Sequence, residues 1–382
     1  MAERTEMKKY IIISGFNIHD NNRGTGALGY GAISFLKEKG YLKEGQELLN
    51  ICYVNRFWKY KNHTEIIRIQ NTTIQRAIIY VSPIERFFFE KFGFSFPWTT
   101  FSKKIKQVAL VANINGGDGF SDIYGTKTFI NRLSDTKIAL KYRIPYIFLP
   151  QTLGPFNKYR NYKLAEKILR GANEIFIRDD KFIKDLDKMG LKYFMAKDLS
   201  VYMKPEPWNI RIKPNSIGLN ISGLAYDNKF YGLANQFDNY PELIRKIIKC
   251  FQDNGKNIYL IPHSYNYKKP EVNNDDLVAC RTVYNSLPDK QNITIVDKDM
   301  TPPQVKYVIS QMSFFIGTRM HANFAAIYTN VPLFGLAYSY KFNGAFEAHN
   351  IFNRTVLINN IKNDEIDDIV NKIISVYFSE IK

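Results

Sequence analysis

The sequence predicts an α/β protein built as two open, doubly wound domains. Three observations carry that expectation. At 382 residues the chain exceeds what one hydrophobic core ordinarily organises, so a division into two is expected. Short runs rich in β-branched and aromatic residues alternate with amphipathic stretches over nearly the whole length, the pattern of parallel strands joined by crossover helices. Midway, KPEPWNIRIKPN at 204–215 carries three prolines that interrupt helical and strand ladders alike, and a fresh strand opens at Ser216. The expected domains are therefore 1–208 and 209–382.

In the first half the runs predict strands near 9–14, 48–54, 107–114, 145–150, 174–178 and 193–196, with helices near 25–39, 122–142, 161–171 and 179–189. The second half repeats the pattern with strands near 216–221, 257–261, 293–296, 314–317 and 331–336. Thr301-Pro302-Pro303-Gln304 combines capping-box spacing with proline at the first helical position, so a helix is expected over 302–312. A last helix near 363–379 is expected to pack back across the domain junction. The halves share a pattern but no residue repeat. Two such domains facing each other would bring the carboxyl ends of their strands to a common cleft, where chemistry is sought.

Composition narrows the function classes. The sequence is 45% hydrophobic and 15% aromatic, a globular content, and its purely apolar runs are far too short for a membrane span. Lys8 and Lys9 precede only the brief run Tyr10–Ile13, which suits a first strand better than a secretion signal and points to a cytosolic protein. Cys52, Cys250 and Cys280 form no paired or metal-binding pattern and are read as reduced thiols. Fifty-three Lys and Arg against 36 Asp and Glu give a net charge of +17, which favours an anionic partner: phosphate esters, lipid headgroups or nucleic acid. No nucleic-acid-binding motif, no H-E-x-x-H, no Cys/His cluster, no D-x-D of the kind that often holds a nucleotide-sugar metal and no phosphate-binding G-x-x-x-x-G-K-[ST] loop is present. Metal-independent catalysis without a cofactor is the expectation, and a purely nucleic-acid- or membrane-binding role leaves the next segment unexplained.

That segment is Phe314–Asn323, FFIGTRMHAN, where an apolar strand ends in Gly317 and presents Arg319 and His321 before a helix of small residues. A strand-to-helix turn collects unpaired N–H groups at a positive helix end, a ready anion site. Arg319 would add a planar fork for carboxylate or phosphate, and His321 a proton donor or acceptor near neutral pH. The competing reading is an arginine capping local carbonyls and a histidine buried at the helix start.

The stretch from Gly317 to Gly344, GTRMHANFAAIYTNVPLFGLAYSYKFNG, resembles the signature of the polysaccharide pyruvyltransferases: an R-x-H-A turn, an apolar helix, a strand and a Tyr-x-x-Lys segment ending in glycine. Five further places match in order: Asn22–Leu28 after the first strand, Gly116-Gly117 with Asp122, Gln151-Thr-Leu-Gly-Pro155, Ile177-Arg178-Asp179, and Gly218–Ser222. The ordered series, over about residues 10 to 345, makes the resemblance specific. Two positions depart from the pattern: Asp118 stands where a third glycine is frequent, and Phe182 where a serine commonly follows Arg178.

The resemblance implies two facing Rossmann-like domains, similar to glycosyltransferase B-type architecture. It implies phosphoenolpyruvate as donor, a sugar hydroxyl of a capsular or other surface polysaccharide, or of its lipid-linked precursor, as acceptor, and a pyruvate ketal as product. Arg319 and His321, on the R-x-H, inherit donor-binding and catalytic roles, and Arg178 and Lys341 contacts to phosphate or carboxylate, with Gly317, Thr318 and Asn220 beside them. The N-terminal domain would take the acceptor. Candidates for acceptor or loop contacts are Asn22, Gly116, Gly117, Asp118, Asp122 and His263, the last closing the strand Leu260–Ser264. Asp118, Asp122 and Asp198 are candidate bases, each with helix capping or a solvated turn as its alternative. A nucleotide-sugar glycosyltransferase of similar fold is the alternative enzyme.

One segment stands outside this scheme. Phe87–Phe101, FFFEKFGFSFPWTTF, packs eight aromatic residues into fifteen and is flanked or punctuated by Arg86, Lys91, Lys103, Lys104 and Lys106. It reads either as core beneath a crossover, or as an exposed aromatic and basic surface, chiefly Phe92–Trp98, that would make the protein peripheral to the inner face of an anionic cytoplasmic membrane.

Overall fold

The computed structural model describes residues 8–69, 72–230, 232–338, 346, 349 and 351–381. They form two compact units. The first holds the described residues up to Phe16 and Leu28–Tyr202, the second Asn17–Ala27 and the described residues from Met203 onward. The division thus falls at Tyr202, before the proline-rich stretch. The segment Asn17–Ala27, which the sequence reading placed in the first domain, belongs with the second.

The first unit is an eight-stranded sheet: β1 (Tyr10–Ser14), β2 (Glu47–Tyr53), β3 (His63–Ile69), β4 (Thr72–Val81), β5 (Val108–Asn113), β6 (Tyr146–Gln151), β7 (Glu174–Ile177) and β8 (Phe194–Met195), ordered β3-β4-β2-β1-β5-β6-β7-β8. All neighbours are parallel except β3 against β4. The strands Tyr10–Ser14 and Tyr146–Gln151 are buried at every position, as expected of parallel strands covered on both faces. The order reverses between β1 and β5, so the loops leaving these two strands border the crevice where ligands bind in open α/β sheets.

Crossover helices are α1 (Arg23–Glu38), α2 (Pro83–Phe92), α3 (Thr100–Ile105), α4 (Thr126–Arg132), α5 (Ser134–Tyr142), α6 (Tyr159–Arg170) and α7 (Ile183–Lys188). The single helix expected over 122–142 is two. It begins only at Thr126 because Gly125, at φ 89°, turns the chain there, and Leu133, at ψ 3°, breaks it. The hairpin β3–β4 was not anticipated, although its burial alternates along β3, with Ile67 and Ile69 in and Arg68 out. The first part of the aromatic segment, Phe87–Phe92, lies in α2, whose ends are well specified. Ser82 accepts from the Glu85 N–H, Pro83 occupies the first turn, and Gly93 closes it left-handed at φ 63°.

The second unit is a six-stranded, all-parallel sheet: β9 (Ser216–Asn220), β10 (Asn257–Leu260), β11 (Ile293–Ile295), β12 (Phe314–Gly317), β13 (Leu333–Ala337) and β14 (Thr355–Leu357), ordered β11-β10-β9-β12-β13-β14. Its reversal lies between β9 and β12. Helices α8 (Gly223–Asp227), α9 (Tyr240–Asp253), α10 (Asp276–Ser286), α11 (Pro302–Ser310), α12 (Met320–Ile327) and α13 (Ile366–Glu380) cover it. The cap expected at α11 is present: Thr301 N–H donates to Gln304 Oε1 at 2.8 Å. The closing helix α13 buries Ile366, Ile369, Ile373 and Tyr377 in the same core as Phe251 of α9 and Phe314 of β12, so its apolar face is covered within its own unit. Both units are thus doubly wound α/β sheets, the expected class.

Candidate active site

At the second unit's switch point, β9 ends in Asn220 and β12 in Gly317, and the turn Thr318-Arg319 leads into α12. Asn220 holds this turn. Its Oδ1 accepts the Arg319 N–H at 2.8 Å while its Nδ2 donates to Ile261 O at 3.0 Å. The Thr318 hydroxyl meets Tyr240 at 2.7 Å, and Asn323 of α12 reaches back to the Gly317 carbonyl at 2.9 Å. Gly317 is required there, because a Cβ would stand 2.3 Å from Asn323 Oδ1.

Arg319 is buried and ion-paired. Its Nε and Nη2 donate to Asp276 at 3.0 and 2.6 Å, and Nη2 also to the Asn274 carbonyl at 3.0 Å. Burial works against its charge, but the Asp276 carboxylate, with Tyr338 behind it, more than offsets this and raises the guanidinium pKa. The open fork expected from sequence is therefore largely spent inside the protein, and Arg319 shapes the site through Asp276. Asp276 itself is fully buried and also accepts from the N–H groups of Gly223, His263 and Ser264 at 2.9, 3.1 and 2.9 Å. One carboxylate thus ties β9, β10 and β12 together at their carboxyl ends.

His321 follows, half-buried in the first turn of α12, its ring edge-on to Phe324. His263 is buried close by. Burial first, then the positive fields of His321, Arg319 and Arg23, hold it well below the ordinary histidine pKa, so it is neutral at pH 7. Its Nδ1 and the buried Ser222 Oγ have no hydrogen-bond partner among the described residues. Polar atoms buried in this way are normally satisfied, so both stand out at this switch point.

The Asn22–Gly26 segment, the N-cap and first turn of α1, joins this group. Asn22 caps α1, accepting the Gly24 N–H at 2.9 Å, and forms a bridge with Ser264. Arg23 is buried over the Tyr265 ring, 4.2 Å from its centroid, with Nε donating to Met300 O at 2.6 Å. Gly24 presses on the catalytic candidate: a Cβ there would lie 2.6 Å from His321 Nδ1. Thus Asn22, His263, Asn220, Gly317, Thr318, Arg319 and His321, scattered in sequence, share one site. Lys341 lies outside the described residues.

At the first unit's switch point β5 runs into Asn115-Gly116-Gly117, all at positive φ (50°, 70° and 87°), a conformation that favours glycine. Gly117 also faces Arg178, whose Nη1 a Cβ would approach to 3.0 Å. Arg178 is buried, donating to Asp198 at 2.7 Å and to Thr152 at 3.2 Å. Burial opposes its charge, but Asp198 and Asp179 outweigh it and raise its pKa. Asp198 in turn accepts from the Ser200 N–H at 2.8 Å and hydroxyl at 2.5 Å, which makes it a structural partner and not a ready base. Asp122 is corrected likewise. Its oxygens take Asn157 N–H and Nδ2, Lys158 N–H and Asn161 Nδ2 at 2.9 to 3.0 Å, so it latches the 155–161 corner. Asp118 remains on the glycine loop, half-buried, with Tyr124 donating at 3.1 Å.

Sequence reasoning missed Asp276 and Asn274 in the second unit and Asp135 in the first. The run Asn273-Asn274-Asp275-Asp276 is a helix-start signal, and Asp275 does cap α10, but the ion pair to Arg319 spans 43 positions. Asp135, at the start of α5, is hydrogen-bonded to Ser14 at the end of β1, and burial pushes its carboxyl up to about 6.

The family profile described as polysaccharide pyruvyl transferase matches residues 22–340, a span that includes the glycine loop after β5 and the second unit's switch point. The chain belongs to the polysaccharide pyruvyl transferase family. A curated relative, the amylovoran biosynthesis protein AmsJ of Erwinia amylovora, is 21% identical over 255 residues, 63% of this chain and 59% of that protein. The chain therefore matches less than two thirds of that relative's length. Among solved structures, a Listeria monocytogenes protein described as a UDP-N-acetylglucosamine 2-epimerase matches with 97% of this chain and 90% of its own covered, TM-score 0.52, at 10% identity. The UDP-GlcNAc 2-epimerase of Methanocaldococcus jannaschii covers 96% and 91%, TM-score 0.49, at 12% identity. At such identities the likeness is one of fold alone. For this pyruvyl transferase family member, the turn Gly317–His321 and the glycine loop after β5 are the two places where fold and sequence concentrate chemistry.

Proposed function

We propose that this protein transfers the pyruvyl unit of phosphoenolpyruvate to a sugar of a surface polysaccharide, or of its lipid-linked precursor, as a ketal. The observation that supports this best is the second unit's switch point. There a half-buried His321 opens α12 on a scaffold fixed by Asp276 and Arg319, beside a neutral His263 and a Ser222 hydroxyl that await a partner. The net reaction adds one proton to C3 of the enol, forms two bonds from C2 to sugar oxygens, and breaks the C2–O bond to phosphate. Two hydroxyl protons are released, one matching the proton gained at C3 and one leaving with phosphate. No oxidant or reductant is needed.

On this reading the second unit takes the donor. Backbone N–H groups at the start of α12 and the His263 and Ser222 side chains receive its anionic groups, and His321 handles the proton that goes to carbon or to the departing phosphate. The first unit's glycine loop takes the acceptor, with Asp118 offered to the sugar hydroxyl. The ligand that stabilises the protein tests the donor. Phosphoenolpyruvate should raise the melting temperature in a saturable way and nucleotide sugars should not, since only ligands of the folded state stabilise it. The reverse pattern would favour a nucleotide-sugar transferase and sink the proposal.

A further inference from the structure

The aromatic segment of the first unit divides cleanly between core and surface. Phe89, Phe101 and Ile105 are buried in the first unit's core and pin α2 and α3 to the sheet. Facing away from them, Ile84, Phe87, Phe92, Phe94 and Trp98 are exposed, Trp98 to 70%. The rings touch in series: Phe87 and Phe92 at 6.2 Å, Phe92 and Phe88 at 5.8 Å, Phe88 and Phe96 at 5.6 Å, Phe96 and Trp98 at 5.4 Å. With the helices anchored beneath, these side chains cannot turn inward, and a contiguous apolar patch of this kind marks an interaction surface.

The charge around the patch is mainly basic. Lys91 stands over both Phe87 and Phe92, 5.3 and 5.4 Å from their centroids, and Lys103 and Lys106 are exposed on and just beyond α3. The two acidic residues of the segment are engaged: Glu85 is buried and accepts from Thr99 at 2.5 Å, and Glu90 pairs with Arg86 at 2.8 Å. A groove of about 210 Å³ beside α2 adds Lys137 and Lys141 to its lining.

A second loop reinforces the pattern. Residues 54–62, VNRFWKYKN, follow β2 and carry Arg56, Lys59 and Lys61 with no acid, and Phe57 and Trp58 there are exposed, Trp58 to 68%. Because β2 and β4 pair in parallel with Tyr53 opposite Val81, this loop and α2 leave the sheet at the same end. Tyr60 stacks on Tyr80 at 4.8 Å, and Arg86 lies 4.9 Å from the Tyr53 ring centroid. Two of the three tryptophans, Trp58 and Trp98, are thus exposed in this one unit, each in a segment rich in lysine.

We propose that this end of the first unit is a docking surface for an anionic lipid bilayer. Exposed Trp and Phe with interleaved Lys match the headgroup region, where rings enter the acyl boundary and ammonium groups stay at the phosphates. Single-stranded nucleic acid is bound along a basic groove past successive stacking rings, whereas here Phe88, Phe92, Phe96 and Trp98 pack on one another as a patch. The contact is lateral, as no helix among the described residues is long and apolar enough to cross a membrane. The proposal stands on the surface alone and does not depend on the reaction assigned above.

The test is co-sedimentation of the full chain with vesicles of phosphatidylcholine alone or mixed with phosphatidylglycerol. Binding should require the anionic lipid, weaken several-fold as salt rises to about 0.5 M, where screening shortens to a few ångströms, and fall at least about ten-fold in Phe92→Ser/Phe94→Ser/Trp98→Ser. Thermal unfolding checks that this variant folds. If it does not, Trp98→Ser and Lys91→Glu/Lys103→Glu/Lys106→Glu serve in its place, with losses expected in both. No binding to anionic vesicles at low salt, or binding indifferent to these substitutions, overturns the proposal. So does a patch variant that loses self-association or RNA binding while its vesicle binding is intact.

Discussion

Asp276 has no exposure to solvent, yet it receives donors from Gly223, His263, Ser264, Asn220 and Arg319, so its removal leaves a guanidinium buried without its counter-charge. Asp276→Ala should cost about 3–5 kcal/mol of stability, the penalty for breaking a buried pair, measured by the denaturant midpoint. Asp276→Asn should lose less, because the amide oxygen still accepts the backbone donors. Gly24 offers a gentler probe of the same site. The Cβ of Gly24→Ala would meet His321 at Nδ1 and Cβ, at 2.6 and 2.7 Å, so the imidazole must move. Turnover should fall by at least about ten-fold with a smaller change in donor KM. Unchanged turnover would remove His321 from the proton path. At this scale the sequence marked the turn but hid the partner of one of its residues. The strand ending in Gly317 marked Arg319 and His321, whereas the partner that consumes Arg319 lies 43 positions earlier, a distance no local pattern bridges.

Helix α5 starts where the expected long helix breaks, and it carries Asp135 against the end of β1, with burial pushing its carboxyl up to about 6 and Ser14 holding it back. The folded protein therefore binds this proton more tightly than the unfolded chain. Its contribution to stability is present in full below the ordinary aspartate range and is lost as pH rises through about 6. Asp135→Asn should accordingly raise stability at pH 7.5, by about 1–3 kcal/mol, and make no difference near pH 3. Melting temperatures of both proteins across that range check it. A variant less stable at pH 7.5 would mean that the ionised carboxylate is satisfied in the fold. Elements with strong period signals, such as the fully buried runs Tyr10–Ser14 and Phe314–Gly317, were legible. The hairpin β3–β4 was not, since charged residues interleave its apolar ones, and α2 was not, since its caps Ser82 and Gly93 weigh less to the eye than its run of rings.

For the whole molecule, a net charge of +17 suits the anionic donor proposed above, and the family match runs from 22 to 340. The pairing of two doubly wound sheets was legible from length, alternation and the prolines of 204–215. The crossing of Asn17–Ala27 into the second unit was not, because its glycines and capping asparagine fit a simple strand-to-helix loop in either unit. The proposed reaction puts the enol carbon of phosphoenolpyruvate on a sugar. The direct measurement is the mass of an acidic-polysaccharide repeat oligosaccharide, free and lipid-linked, after incubation with the protein and phosphoenolpyruvate. The account predicts a product heavier by one pyruvate less one water, with one phosphate released per product and both lost in His321→Ala. An oligosaccharide that stays unchanged with phosphoenolpyruvate but gains a whole sugar from a nucleotide sugar would contradict it.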